Sequence, residues 1–76
     1  MNEAAEILDA RGLNCPLPIL KTRQAIDKLS TGEVLEVISS DPGSVRDMDT
    51  FCTETGNRLV SSNESGDGYV FLIEKS

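Results

Sequence analysis

The chain has two cysteines, Cys15 and Cys52, and these are the side chains best suited to nucleophilic chemistry. It has no histidine, so a Cys–His dyad of the protease type is excluded. Two cysteines without histidine or a carboxylate cluster do not predict a metal site. The sequence also lacks a glycine-rich phosphate-binding motif, so no cofactor is expected. What remains is the chemistry of an individual thiol.

The first cysteine occupies the segment Asn14-Cys15-Pro16-Leu17-Pro18, where an extended stretch is predicted to become a helix. Proline fixes its backbone near the helical value and is well tolerated at the first helical position. We therefore predict Cys15 at the N-cap, Pro16 at N1 and Pro18 at N3. The thiol would accept the backbone N–H of Leu17 and lie at the positive end of the helix dipole, which favours a thiolate. This position predicts a reactive Cys15.

Basic residues are concentrated around this segment, although the chain is acidic overall, with seven basic and 13 acidic residues and a net charge of -6. Arg11, Lys21, Arg23 and Lys28 fall within residues 11–28, where Asp27 is the single acid. Arg11, Lys21 and Arg23 are predicted to stabilise a sulfur anion and to attract an acidic partner surface. Ordinary solvated helix charge is the plainer alternative for each of them.

Three further side chains, Leu17, Leu20 and Cys52, have two interpretations each. Leu17 and Leu20 lie off the predicted core stripe, so they either pack on the neighbouring loop or form an exposed patch where a partner protein docks. Cys52 shares a helical row with Val45 and Met48, which favours core packing. Its alternative role is a second carrier or a thiol that pairs with Cys15.

Composition limits the class of protein. The 76 residues predict one small domain, residues 1–76, with chemistry at its surface rather than in a deep cavity. The acidic balance argues against direct nucleic-acid binding and against a polybasic membrane anchor. The first six residues have neither a basic flank nor an apolar run, so no signal peptide or membrane span is expected and the location is predicted to be cytoplasmic.

The periodicity predicts the element order βαβαββ. Strands are predicted over residues 6–10, 33–39, 58–62 and 68–75, helices over residues 16–29 and from about 42–44 to 55, and a hairpin loop over residues 63–67. The predicted core positions of the first helix are Ile19, Thr22, Ala25, Ile26 and Leu29. Those of the second are Val45, Met48, Cys52 and Thr55, with Phe51 beside them. The second helix begins either with Asp41 as its cap or with Ser44 in a capping box with Asp47.

This order predicts an α/β (α+β) fold, a two-layer α/β sandwich. A four-stranded mixed sheet would carry both helices on one face. The other face would be partly bare, and it is either an interaction surface or the ordinary apolar fraction of a small protein.

The Cys-Pro-Leu-Pro segment and residues 8–14, 40–47, 51–52 and 69–75 resemble the TusA/SirA-like sulfur-carrier family over nearly the whole chain. The fold of that family agrees with the predicted order. The resemblance implies that Cys15 carries sulfane sulfur as a persulfide. A donor protein, a cysteine desulfurase or a rhodanese, would load it, and an acceptor protein would take the sulfur.

Members of the family serve in tRNA thiolation, related cofactor metabolism and sulfur oxidation, among which the sequence does not choose. No side chain is an obvious general base, so the chain is expected to act as a sulfurtransferase-type carrier with little turnover alone. Two other functions stay open from the residues: a small thiol redox protein, and a non-catalytic regulatory or interaction module.

Overall fold

The structure is a computed structural model that describes residues 4–14, 16–66 and 68–76. Cys15 therefore lies outside the described residues. Six elements follow in the predicted order: β1 (Glu6–Ala10), α1 (Leu17–Asp27), β2 (Val34–Ser39), α2 (Ser44–Thr55), β3 (Arg58–Ser65) and β4 (Gly68–Glu74). The strand and helix types agree with the sequence-based prediction throughout.

The four strands form one mixed sheet in the order β1-β2-β4-β3. β1 is parallel to β2, whereas β4 is antiparallel to both of its neighbours, β2 and β3. Each helix connects strands that run in the same direction, and α1 and α2 contact each other as well as the sheet. The predicted two-layer sandwich is confirmed, with both helices on one face.

One hydrophobic core lies between the sheet and the helices. β2 alternates strictly, and Leu35, Val37 and Ser39 are buried while the residues between them are half-exposed. This alternation places every second side chain against the helices. The largest fully buried hydrophobic side chains are Phe71, Leu35, Met48, Ile73 and Val37.

The helix stripes are confirmed for α1 and corrected for α2. Thr22, Ala25 and Ile26 are buried, and Ile19 and Leu29 pack against the core. In α2 the buried residues are Ser44, Met48, Phe51 and Cys52, so the prediction of Val45 and Thr55 as core residues was wrong. The stripe formed by those four residues leaves Val45 at its edge, where it is 42% exposed, and Thr55 is the last residue of the helix.

Two local boundaries also differ from the prediction. Neither predicted cap holds for α2: its N-cap is Gly43, without a side-chain capping bond, because Asp41 Oδ1 accepts the Gly43 N–H (3.0 Å) in the preceding turn. The predicted loop over residues 63–67 is shorter than expected. β3 continues to Ser65, since residues 63–65 pair with Val70, Tyr69 and Gly68.

Candidate functional site at the start of the first helix

The segment that leads from β1 to α1 is held by two of its backbone N–H groups, which donate to the end of β1 and to the loop after β2. Leu13 N–H donates to the carbonyl of Ala10, the buried last residue of β1 (3.3 Å). Gly12 N–H donates to Ser40 Oγ (2.9 Å), which belongs to the loop after β2. Gly12 has φ +84°, a left-handed conformation that favours glycine. The two loops at this edge of the sheet are therefore joined directly.

α1 begins one residue later than predicted. Pro16 is the N-cap, Leu17 is N1 and Pro18 is N2, so the assignment of the N-cap to Cys15, N1 to Pro16 and N3 to Pro18 was wrong. The N–H of Leu17 donates to the carbonyl of Asn14 (2.8 Å), which closes a turn before the helix. Leu17 is thus not the free donor that the sequence-based prediction assigned to the thiol. Proline suits N2 because that position lacks an intrahelical acceptor in any case.

The helix start presents an exposed surface around a buried anchor. Pro18 is buried, whereas Asn14 and Pro16, the two neighbours of Cys15, are exposed. Leu17 and Leu20 are 42% and 47% exposed, so they do not pack away against the neighbouring loop. Exposed leucines beside an exposed helix start are available to a partner surface.

Arg11, the residue after β1, is paired with an acid of that strand. Its Nε and Nη2 atoms donate to the two carboxylate oxygens of Asp9, each at 2.9 Å. This side-chain pair, together with the Arg11 backbone N–H, lowers the pKa of Asp9 from 3.8 to about 2. The Arg11 charge is therefore already balanced locally, which reduces what it can add to the field at a neighbouring thiol.

Lys21 and Arg23 lie on opposite flanks of α1, since two residues separate by about 200° around a helix. Both are exposed. The Arg23 guanidinium carbon lies 5.5 Å from the centroid of the Phe51 ring on α2, a cation–π distance. Arg23 also lines a cleft of about 280 Å³ between the helices, whose rim includes Pro16 and Arg46. Of the two predicted cations on α1, Arg23 faces α2 and Lys21 the other side.

Cys52 is a free thiol on the buried face of α2. Burial raises its pKa from 9.0 to about 11, and the nearby Asp49 carboxylate adds to the shift. A buried thiol with a raised pKa is neither a ready nucleophile nor an accessible pairing partner. The core-packing interpretation of Cys52 is the one that agrees with the structure.

The serines that shape the neighbouring loop were not predicted from the sequence as site residues. Ser39 and Ser44 are fully buried and their hydroxyl oxygens lie 2.5 Å apart. Ser39 Oγ also accepts the N–H of Asp41 (3.2 Å). Their hydroxyls link the end of β2 to the start of α2. The signal that could have revealed them is the strict alternation of β2, which places Ser39 on the buried face.

No group of three or more His, Cys, Asp or Glu side chains within residues 4–14, 16–66 and 68–76 could hold a metal ion. In the same residues, neither helix has the length and apolarity needed to cross a membrane.

The fold and this helix start define a small two-layer α/β domain with a Cys-Pro-x-Pro segment at its first helix. Comparison with known proteins specifies the family. The family model described as Sulfurtransferase TusA matches residues 6–75. The chain therefore belongs to the TusA family.

Individual relatives agree. A protein named sulfur carrier protein TusA from Allochromatium vinosum is 55% identical over 69 residues, which cover 91% of each chain. A putative sulfur carrier protein from Halobacterium salinarum is 41% identical and covers 97% of this chain and 93% of its own. The crystal structure of a SirA-like protein from Desulfitobacterium hafniense superposes with a TM-score of 0.77 at 21% identity, covering 91% of this chain and 93% of that one. That structure supports the fold.

Proposed function

We propose that this protein is a sulfur carrier that accepts sulfane sulfur as a persulfide on Cys15 and passes it to an acceptor protein. The observation that carries the assignment to Cys15 is the state of the other thiol. Cys52 is buried in the core and its pKa is raised to about 11, so Cys15 is the candidate carrier. The exposed neighbours Asn14 and Pro16 support access to this position.

The loading step needs no redox change. The Cys15 thiolate attacks the terminal sulfur of a donor persulfide, and a new S–S bond forms to Cys15. The S–S bond of the donor breaks, and its electron pair stays on the donor sulfur as a thiolate. The proton of the transferred sulfur exchanges with water. Transfer to an acceptor thiolate repeats the step with Cys15 as the leaving group.

The surroundings of the helix start support an anionic sulfur. The positive end of the α1 dipole lies at this end of the helix, and its first turn contains no acid. Lys21 and Arg23 add positive charge from the two flanks of α1, whereas Arg11 adds less because of its pair with Asp9. Pro16 and Pro18 fix the backbone of the start.

Donor and acceptor proteins are proposed to dock on the exposed Leu17 and Leu20. A protein without an evident general base depends on its partners for proton transfer. A cysteine desulfurase or a rhodanese is the proposed donor, and the partner contacts are transient. We place this exchange in the cytoplasm, without direct contact to nucleic acid.

The test is intact-mass spectrometry after incubation with cysteine and a cysteine desulfurase, or with thiosulfate and a rhodanese. The wild-type chain should gain the mass of one sulfur atom, and a reducing agent should remove it. Cys15→Ser should gain nothing, and the matched variant Cys52→Ala should load like the wild type. Loading that persists in Cys15→Ser and disappears in Cys52→Ala would overturn the assignment.

Docking can be separated from chemistry with Leu17→Ser/Leu20→Ser. This variant should load poorly from the desulfurase and normally from inorganic polysulfide, which needs no protein contact. The matched control is Gln24→Ser, another exposed position on α1. Equal loading of both variants by the desulfurase would contradict the docking proposal and leave the role of Cys15 untouched.

A further inference from the structure

The face of the sheet opposite the helices, here called the outer face, is rich in aliphatic side chains. They come from all four strands: Ile7, Val34, Ile38, Val60, Val70 and Leu72. Ile7 is 62% exposed and the other five are half-buried. The core and the residues packed on it are drawn from the opposite face. Within the described residues no helix covers this surface, because α1 and α2 both pack against the core side.

The outer face contains a hollow and has charged residues at its rim. Val34, Val60 and Leu72 line a hollow of about 200 Å³. At one end of the face Arg58 Nη1 lies 3.7 Å from Glu74 Oε1, and at the other Arg11 binds Asp9 at 2.9 Å. An apolar centre with a polar rim is the arrangement of protein–protein interfaces.

Glu36 lies at the centre of this face. The strand register places it between Ile7 of β1 and Leu72 of β4, so both of its cross-strand neighbours are aliphatic. Its carboxylate makes no hydrogen bond or ion pair within the part of the chain that the structure describes. In the free protein water solvates this half-buried charge. Any surface that covers the outer face removes that water.

We propose that the outer face binds a second protein whose docking surface is aliphatic and presents a Lys or Arg side chain to Glu36. Covering an unpaired carboxylate is costly unless a cation replaces its water. An arginine can satisfy both oxygens in a two-pronged pair. The net charge of -6 also attracts a partner protein whose surface is basic.

A second copy of the chain satisfies these conditions poorly. It would bring another Glu36 and another net charge of -6 to the contact. The two arginines at the rim already bind acids: Arg11 binds Asp9 of β1, and Arg58 binds Glu74 on the neighbouring strand β4. The domain measures 28 × 26 × 17 Å, so one broad face is comparable with the roughly 800 Å² that each partner contributes to a stable interface.

Docking on the outer face leaves the helix layer free. The exposed Leu17 and Leu20 belong to α1, on the core side of the sheet. One protein can therefore hold the carrier by its sheet while another contacts the start of α1. This surface does not depend on sulfur transfer, and its test is independent of Cys15.

The experiment places the photocrosslinking residue p-benzoylphenylalanine at Ile38 in the full chain, expressed in its own host. The same residue at Gln24, on the exposed side of α1, is the matched control. A protein that crosslinks at Ile38 and not at Gln24 is identified by mass spectrometry, purified, and titrated against the wild-type chain and its variants.

Glu36→Lys should raise the Kd of that complex about tenfold or more, and Glu36→Gln and Ile7→Ser should raise it by smaller factors. Added salt should weaken the wild-type complex, and Cys15→Ser should bind within about twofold of the wild type. Circular dichroism confirms that each variant is folded, and Ile7→Ser is the least disruptive because its side chain is largely exposed.

Three results would overturn the proposal. The first is adducts at Ile38 that join only copies of this chain, with a dimer that sedimentation also detects. The second is no crosslink above that at Gln24. The third is a complex whose Kd is the same for wild type and Glu36→Lys.

Discussion

Gly68, the first residue of β4, lies directly against the backbone of Ser39, the last residue of β2. A Cβ atom at position 68 would overlap the carbonyl oxygen of Ser39 and come within 3.3 Å of the Ser40 Cα. Gly68 also has φ +151°, a conformation that favours glycine. The approach matters for the site because Ser39 and Ser40 organise the loop that binds Gly12.

Gly68→Ala should lower the free energy of unfolding by at least about 2 kcal/mol, because the clash is with backbone that a buried hydroxyl pair holds in place. Urea denaturation measures the change. The matched control is Gly66→Ala, where a Cβ meets nothing within 4 Å, and its effect should stay within about 0.5 kcal/mol. Equal losses in the two variants would show that the contact at Ser39 is not tight.

The Asp9–Arg11 pair should make the stability of the protein depend on pH in the acidic range. The pKa of Asp9 is about 2 in the folded protein against 3.8 for the free group, so the folded state favours the charged form. The stability that this pair contributes is therefore present above pH 4 and is lost as the pH falls toward 2. Carboxyl carbon NMR of Arg11→Gln should show the Asp9 pKa moving up toward its ordinary value.

The matched control for that titration is Arg58→Gln, which removes the longer ion pair to Glu74 at the other end of the sheet. It should leave the Asp9 titration unchanged. An Asp9 pKa near 2 in Arg11→Gln would mean that another group lowers it.

The sequence was sufficient to predict the elements and the two-layer fold because alternation in β2 and helical spacing in α1 are local signals. It was insufficient for α2, where Val45 and Met48 are three residues apart and both fit an apolar row. Met48 is buried whereas Val45 is exposed, because the sheet covers only one side of the helix. That choice depends on tertiary packing.

The candidate site likewise combines features that the sequence predicts with features that depend on tertiary contacts. The exposure of Leu17 and Leu20 decides between two interpretations that the sequence left open, packing on the neighbouring loop or an exposed patch, whereas their position off the α1 stripe followed from helical spacing. The helix start did not, since the prediction that placed Pro16 at N1 had no way to include the bond from Leu17 N–H to the Asn14 carbonyl. The Arg11 pair with Asp9 was also missed, although the two residues are only two positions apart in the chain. Spacing alone does not tell which acid a cation will bind.

The burial of Cys52 predicts that the two thiols react with a labelling reagent at different rates. A thiol-specific disulfide reagent at neutral pH should label Cys15 at once and Cys52 only when the protein unfolds, because the Cys52 thiol is buried with a pKa of about 11.

The stability of the protein should also depend on the ionisation of Cys52. In the unfolded chain Cys52 ionises near pH 9, so its contribution to stability is present below pH 9 and declines as the pH rises toward 11. Urea denaturation of wild type and Cys52→Ala between pH 8 and about 11 should show a steeper loss for the wild type, since the alanine variant has no buried thiol to ionise. Parallel loss in the two proteins, together with rapid labelling of Cys52 in the native state, would mean that the α2 thiol is open to solvent and would return it to the set of candidate carriers.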